Sequence, residues 1–111
     1  MPRDYKVHLE DILEAIQKIR NYTSGHTLKT FAQDAKTLDA VVRNLEVIGE
    51  ATKKVPEKMR AEHPEVDWRR IAGLRDILVH EYFRVDVEII WDIVQNKLET
   101  LEAGIKSILA V

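Results

Sequence analysis

Val87-Glu88-Ile89-Ile90-Trp91-Asp92-Ile93-Val94-Gln95-Asn96-Lys97-Leu98-Glu99-Thr100-Leu101-Glu102-Ala103-Gly104-Ile105-Lys106-Ser107-Ile108 decides the fold of this chain. Val87, Ile90, Trp91, Val94, Leu98, Leu101, Ile105 and Ile108 recur in steps of three and four, with one adjacent pair, which is the spacing of one helical face. Asp86 stands just before the first of them, where an N-cap belongs. Ile89 and Ile93 add a second apolar edge, which suits a helix covered from two sides, the second by another subunit.

Working outward, the rest of the chain follows the same period. Leu9, Ile12, Leu13, Ile16 and Ile19 predict an amphipathic helix over about residues 4–22, ended by Thr23-Ser24-Gly25 with Gly25 in a left-handed cap. Thr27 caps a short piece reaching Phe31. Leu38, Val41, Val42, Leu45, Ile48 and Gly49 predict a long helix over about residues 35–54, with Gly49 allowing another backbone to approach. Arg43, Glu46 and Glu50 stand on its polar side as a solvated charge ladder that could also border a site. Pro56 suits the first turn of a short helix toward Glu62, and Pro64 interrupts again. Asp67 caps a helix running through Trp68, Ile71, Ala72, Leu78 and Val79. The expected fold is all-α: one domain over residues 1–111, an antiparallel bundle of four main helices with short connectors.

Composition agrees. A chain of 111 residues is long enough to bury about two-thirds of its unfolded surface. Four glycines and three prolines leave little material for turn-rich β structure. With no cysteine, disulfides, thiolate metal sites and a cysteine nucleophile are excluded. No apolar leader follows Met1 and no run reaches the roughly 20 residues of a membrane span, so a cytoplasmic protein is expected. Formal net charge is −2, yet cations gather at Lys53, Lys54, Lys58, Arg60, Arg69, Arg70, Arg75 and Arg84.

That cationic middle surrounds Gly73-Leu74-Arg75-Asp76-Ile77-Leu78-Val79-His80-Glu81-Tyr82-Phe83. On an ideal wheel Arg75 shares a line with Ile71, Leu78, Val79 and Tyr82, so a permanent cation interrupts the apolar stripe and must be paired or border a cleft. Arg75 and His80 lie about 140° apart and cannot share a face of one regular helix. Either the helix loosens, the arginine reaches round, or a two-fold axis completes the site. The plain alternative is a salt-bridged arginine, a surface histidine and a core tyrosine. His8, His26 and His63 lack metal-ligand spacing and read as surface residues. No phosphate loop, paired metal carboxylates or Ser-His-Asp order is present. A histidine that moves a proton beside an arginine that holds a phosphate is enough for metal-free RNA cleavage, because the 2′-hydroxyl is an internal nucleophile.

The run Arg75-Asp76-Ile77-Leu78-Val79-His80-Glu81-Tyr82 resembles the signature of HepT-like toxins of the HEPN superfamily: Arg, four residues, His, one residue, Tyr. Val42-Arg43-Asn44-Leu45-Glu46-Val47-Ile48-Gly49-Glu50-Ala51 and Trp68-Arg69-Arg70-Ile71-Ala72-Gly73 agree, as does the pattern from Tyr5 to Ile19. The resemblance spans nearly the whole chain. It implies a HEPN-like fold and a metal-independent endoribonuclease toxin, with no cofactor and two signature segments facing across a homodimer cleft. It also implies that Arg75 and His80 are catalytic, that Asp76 supports them, and that Tyr82 receives AMP from a nucleotidyltransferase antitoxin. Arg69, Arg70 and Arg84 are expected to contact RNA. The competing expectation is a non-catalytic helical partner of a nucleotidyltransferase that binds nucleotide or RNA without cutting it.

Overall fold

The computed structural model describes residues 5–74 and 87–110. These residues are helical with short connectors and contain no strand. Helix α1 spans Tyr5–Thr23, α2 Leu28–Gln33, α3 Ala35–Thr52, α4 Glu57–Ala61 and α5 Trp68–Ala72. A C-terminal rod follows, made of α6 (Val87–Asp92), a π-helical turn (Ile93–Lys97) and α7 (Leu98–Leu109). The expected N-cap at Asp86 and the stripe positions Leu78 and Val79 lie outside the described residues.

Each boundary among these helices has a local cause. The Thr23 hydroxyl donates to the Ile19 carbonyl at 2.9 Å in the last turn of α1, and Gly25 then adopts φ +80°, open to glycine without steric cost. Thr27 forms a capping box with Thr30: its hydroxyl accepts from the Thr30 N–H, and its own N–H donates to the Thr30 hydroxyl. Asp34 caps α3, accepting from the Thr37 N–H at 3.1 Å and from the Thr37 hydroxyl at 2.7 Å. Pro56 is the N-cap of α4, one position before the expected first turn.

The apolar faces meet in one core. Leu9, Ile12, Ile16 and Ile19 of α1 pack with Val41, Leu45 and Ile48 of α3, and with Ile90, Leu98, Leu101 and Ile105 of the rod. Full burial of each such side chain contributes about 1.5–3 kcal/mol, which outweighs the weak propensity of short helices standing alone. α1 and α3 run antiparallel: His8 shares a groove with Lys54, while Tyr22 at the other end of α1 shares one with Ala40. Phe31, wholly buried, fastens α2 to the rod with its ring 5.1 Å from that of Trp91.

Two expectations about the helices are corrected. The helix opened by Asp67 does not run straight into the signature segment: α5 closes at Ala72, where the Gly73 N–H is shared between the Arg69 and Arg70 carbonyls, both at 3.1 Å. Such a bifurcated bond tightens the turn before Leu74, the last described residue of this part. The rod keeps its buried seam but carries a π-helical turn at Ile93–Lys97 instead of a uniform α-helix. Of its second apolar edge, Ile89 is 55% exposed, while Ile93 is half-buried against the core.

Candidate functional site

Arg75, Asp76, His80, Tyr82 and Arg84 lie outside the described residues, so the structure speaks to what flanks them. Asp67 caps α5 by accepting from the Arg70 N–H at 3.3 Å. Trp68 and Ile71 are buried, and the Trp68 indole N–H donates to the His63 carbonyl at 2.9 Å. Leu74 is also buried, in a recess lined by Ile93, Asn96, Leu98 and Leu101 of the rod. The chain thus enters the signature segment from a fixed point on the core. Arg69 and Arg70 stand exposed on the same short helix, free of the core.

A larger recess than the one holding Leu74 lies elsewhere. A groove of about 750 Å³ between α1 and α3 is lined by His8, Asp11, Arg43, Glu46, Val47, Glu50, Ala51 and Lys54. A second recess of about 390 Å³ continues it toward Tyr22, with Asp11, Arg43 and Val47 common to both. The polar side of α3 is therefore a groove wall, beyond the solvated ladder expected of it. The α1 wall escaped the sequence reading although a signal was there. His8, Asp11, Ala15, Lys18 and Tyr22 follow at steps of three and four, along one flank of the apolar stripe of α1, with Ala15 itself buried.

The three histidines are not plain surface residues. His8 is half-buried in that groove wall. The His26 Nδ1 lies 3.0 Å from the Thr30 hydroxyl, and its Nε2 3.8 Å from the Asp34 carboxylate. His63 sets Nδ1 3.2 Å from the Glu65 carboxylate. Short connectors pull the last two against neighbouring helix ends, which a search for metal spacing does not reveal. The Thr37 hydroxyl, the Thr37 N–H and nearby His26 hold the Asp34 carboxyl below its usual range. A backbone hydrogen bond and His63 do the same for Glu65. Among the described residues no group of three or more His, Asp or Glu side chains is arranged to hold a metal ion. None of their helices is long and apolar enough to cross a membrane.

Comparison with known proteins bears on the whole chain. The family model described as "Ribonuclease HepT-like" matches residues 12–108, a span that contains the stretch from Arg75 to Tyr82. The chain is 44% identical over 102 residues to "Probable ribonuclease HepT" of Thermococcus cleftensis, covering 92% of this chain and 93% of that protein. It is 48% identical over 99 residues to "Putative RNase MJ0127" of Methanocaldococcus jannaschii, covering 88% and 82%. No solved structure is significantly similar.

Proposed function

Because this chain belongs to the HepT-like ribonuclease family, we propose that it is a metal-independent endoribonuclease, the toxin of a toxin–antitoxin pair, acting as a homodimer. The observation that carries the reading is the family match running through an intact Arg75, His80 and Tyr82 pattern. In the proposed reaction His80 takes the proton from the ribose 2′-hydroxyl, and the 2′-oxygen attacks the adjacent phosphorus. Arg75 holds the non-bridging oxygens as negative charge builds in the pentacoordinate transition state. The phosphorus–5′-oxygen bond breaks, the 5′-oxygen takes a proton from the His80 imidazolium directly or through water, and a 2′,3′-cyclic phosphate remains. Asp76 supports the pair. The 140° between Arg75 and His80 is met by joining the two segments across a two-fold axis.

Arg69, Arg70 and Arg84 are assigned to the RNA backbone. The exposure of the first two, on the helix leading into the signature, supports this. The partner is a nucleotidyltransferase antitoxin that moves AMP to Tyr82. An adenylate there is bulky and anionic and would occupy Arg75. The cytoplasm is the compartment proposed for it, where it would meet its RNA.

The test is cleavage of a labelled RNA by the purified chain with chelator present. His80→Ala is expected to lower the rate by about 10²–10⁴-fold while helicity is kept. An undiminished rate removes His80 from the mechanism. A wild-type protein that binds RNA and leaves it intact favours the non-catalytic alternative. Co-expression with the partner should add AMP at Tyr82, and adducts at Tyr5 or Tyr22 instead would refute that assignment.

A further inference from the structure

The outer side of α3 carries a charge pattern that becomes its own complement when reversed. Asp39, Arg43, Val47, Glu50 and Lys54 follow one another at spacings of four, four, three and four, so they form one line along the helix. Lys54 extends that line just past the last turn. Lay this helix antiparallel against a second copy, about a two-fold axis passing between residues 46 and 47. Arg43 then lies opposite Glu50 of the second copy, and Asp39 opposite Lys54. Symmetry makes each opposite-sign pair twice, over a line of about 22 Å. The same helices set parallel and in register would place Arg43 on Arg43 and Glu50 on Glu50. The pattern therefore selects a direction as well as a partner.

Two further observations point the same way. Val47, directly beside that axis, is 41% exposed, and Tyr22 on the neighbouring α1 wall is 40% exposed. They are two of the three large hydrophobic side chains most exposed among the described residues, and both lie on this face. The groove beside them, about 750 Å³, offers room for the side chains of an incoming helix. Carboxylates at Asp11, Glu14, Glu46 and Glu50 interleave with Arg43, Lys18 and Lys54, which disfavours a run of phosphates and leaves a mixed-charge protein surface as the better occupant. Contacts such as Lys53 to Glu50 at 3.3 Å are exposed pairs within one helix that can be exchanged for pairs across the interface.

We propose that α3 is the two-fold interface of this protein, packed antiparallel on α3 of a second copy, with Val47 beside the axis and Arg43–Glu50 pairs on both sides. This rests on the homodimer reading above and adds to it the face through which the copies meet.

Sedimentation velocity on the full chain over a range of concentrations tests it, with circular dichroism to confirm retained helix. R43E and E50R should each weaken dimerisation at least tenfold, and the R43E/E50R double variant should restore it to within about threefold of wild type. Val47→Asp should weaken it without rescue by either charge change. Single variants that dimerise like wild type overturn the interface and leave the homodimer standing, with its contact elsewhere. A wild-type chain that stays monomeric while cleaving RNA overturns both. An R43E variant that loses RNA in a mobility-shift assay at unchanged dimer mass makes the face an RNA contact and likewise overturns the proposal.

Discussion

α3 and the C-terminal rod both carry long apolar seams, yet they are built differently. α3 runs without a break from the Asp34 cap to Thr52 and turns a charged line to the outside. The rod is interrupted by the π-helical turn at Ile93–Lys97 and leaves Ile89 uncovered on its outer side. The apolar steps through Trp91, Val94, Leu98 and Leu101 do not call for an extra residue in that turn. Seam spacing thus reports which side is buried, while pitch answers to contacts elsewhere. π turns often sit near functional sites, and this one lies beside the recess that holds Leu74, where the chain enters the signature segment.

The strongest way to break this comparison is to ask whether the two rods melt together. Leu45 on α3 and Leu101 on α7 are both fully buried in the same cluster. Leu45→Ala and Leu101→Ala should each lower the unfolding free energy by about 2–5 kcal/mol in a urea titration, with an unchanged slope. Tryptophan fluorescence and far-ultraviolet dichroism should report the same midpoint in both variants. If Leu101→Ala separates the two probes, the rod is a unit of its own and the shared core is the wrong description.

A smaller effect sharpens the view of the rod. Gly104 is buried on α7, and a Cβ built there would come 2.7 Å from the Val66 Cγ2. Valine is stiff at χ1 and cannot swing aside. Overpacking costs about 1–3 kcal/mol, against roughly 1 kcal/mol gained from the helix preference of alanine. Gly104→Ala should therefore be neutral to about 2 kcal/mol destabilising, and the double variant Gly104→Ala/Val66→Ala should recover part of any strain. A stabilised single variant would mean that the connector before α5 yields freely.

What could be read from the sequence follows from this contrast. Leu9 to Ile19, Val41 to Ile48 and Ile90 to Ile108 announced their helices because burial repeats with the helical period. Thr27 and Asp67 announced helix starts because a short polar side chain must satisfy free N–H groups. The α1 wall of the groove was missed because His8, Asp11 and Lys18 look like any solvated face until α3 is set beside them. Gly104 was missed because its reason is Val66, far away in the chain. Family membership was legible through the spacing of Arg75, His80 and Tyr82, and the family match bears out that membership. Their mutual geometry was not, because the angle between Arg75 and His80 on one helix does not place two copies of the segment.

The smallest expected effect concerns how α3 keeps its unbroken start. The Asp34 carboxyl is held below its usual value by the Thr37 hydroxyl first and the Thr37 N–H second, with His26 nearby adding attraction. A carboxyl bound more tightly in its charged form when folded contributes stability above its unfolded pKa. That contribution is lost as pH falls through the folded value, here below the ordinary 3.8. Asp34→Asn keeps one acceptor for the helix N-terminus but has no proton to gain. Between pH 5 and pH 3 the variant should therefore lose less stability than wild type, with the difference between the two proteins narrowing as the wild-type carboxyl is neutralised. Thermal unfolding followed at both pH values checks this, and a constant difference across the range would show that the Asp34 charge has no part in holding α3.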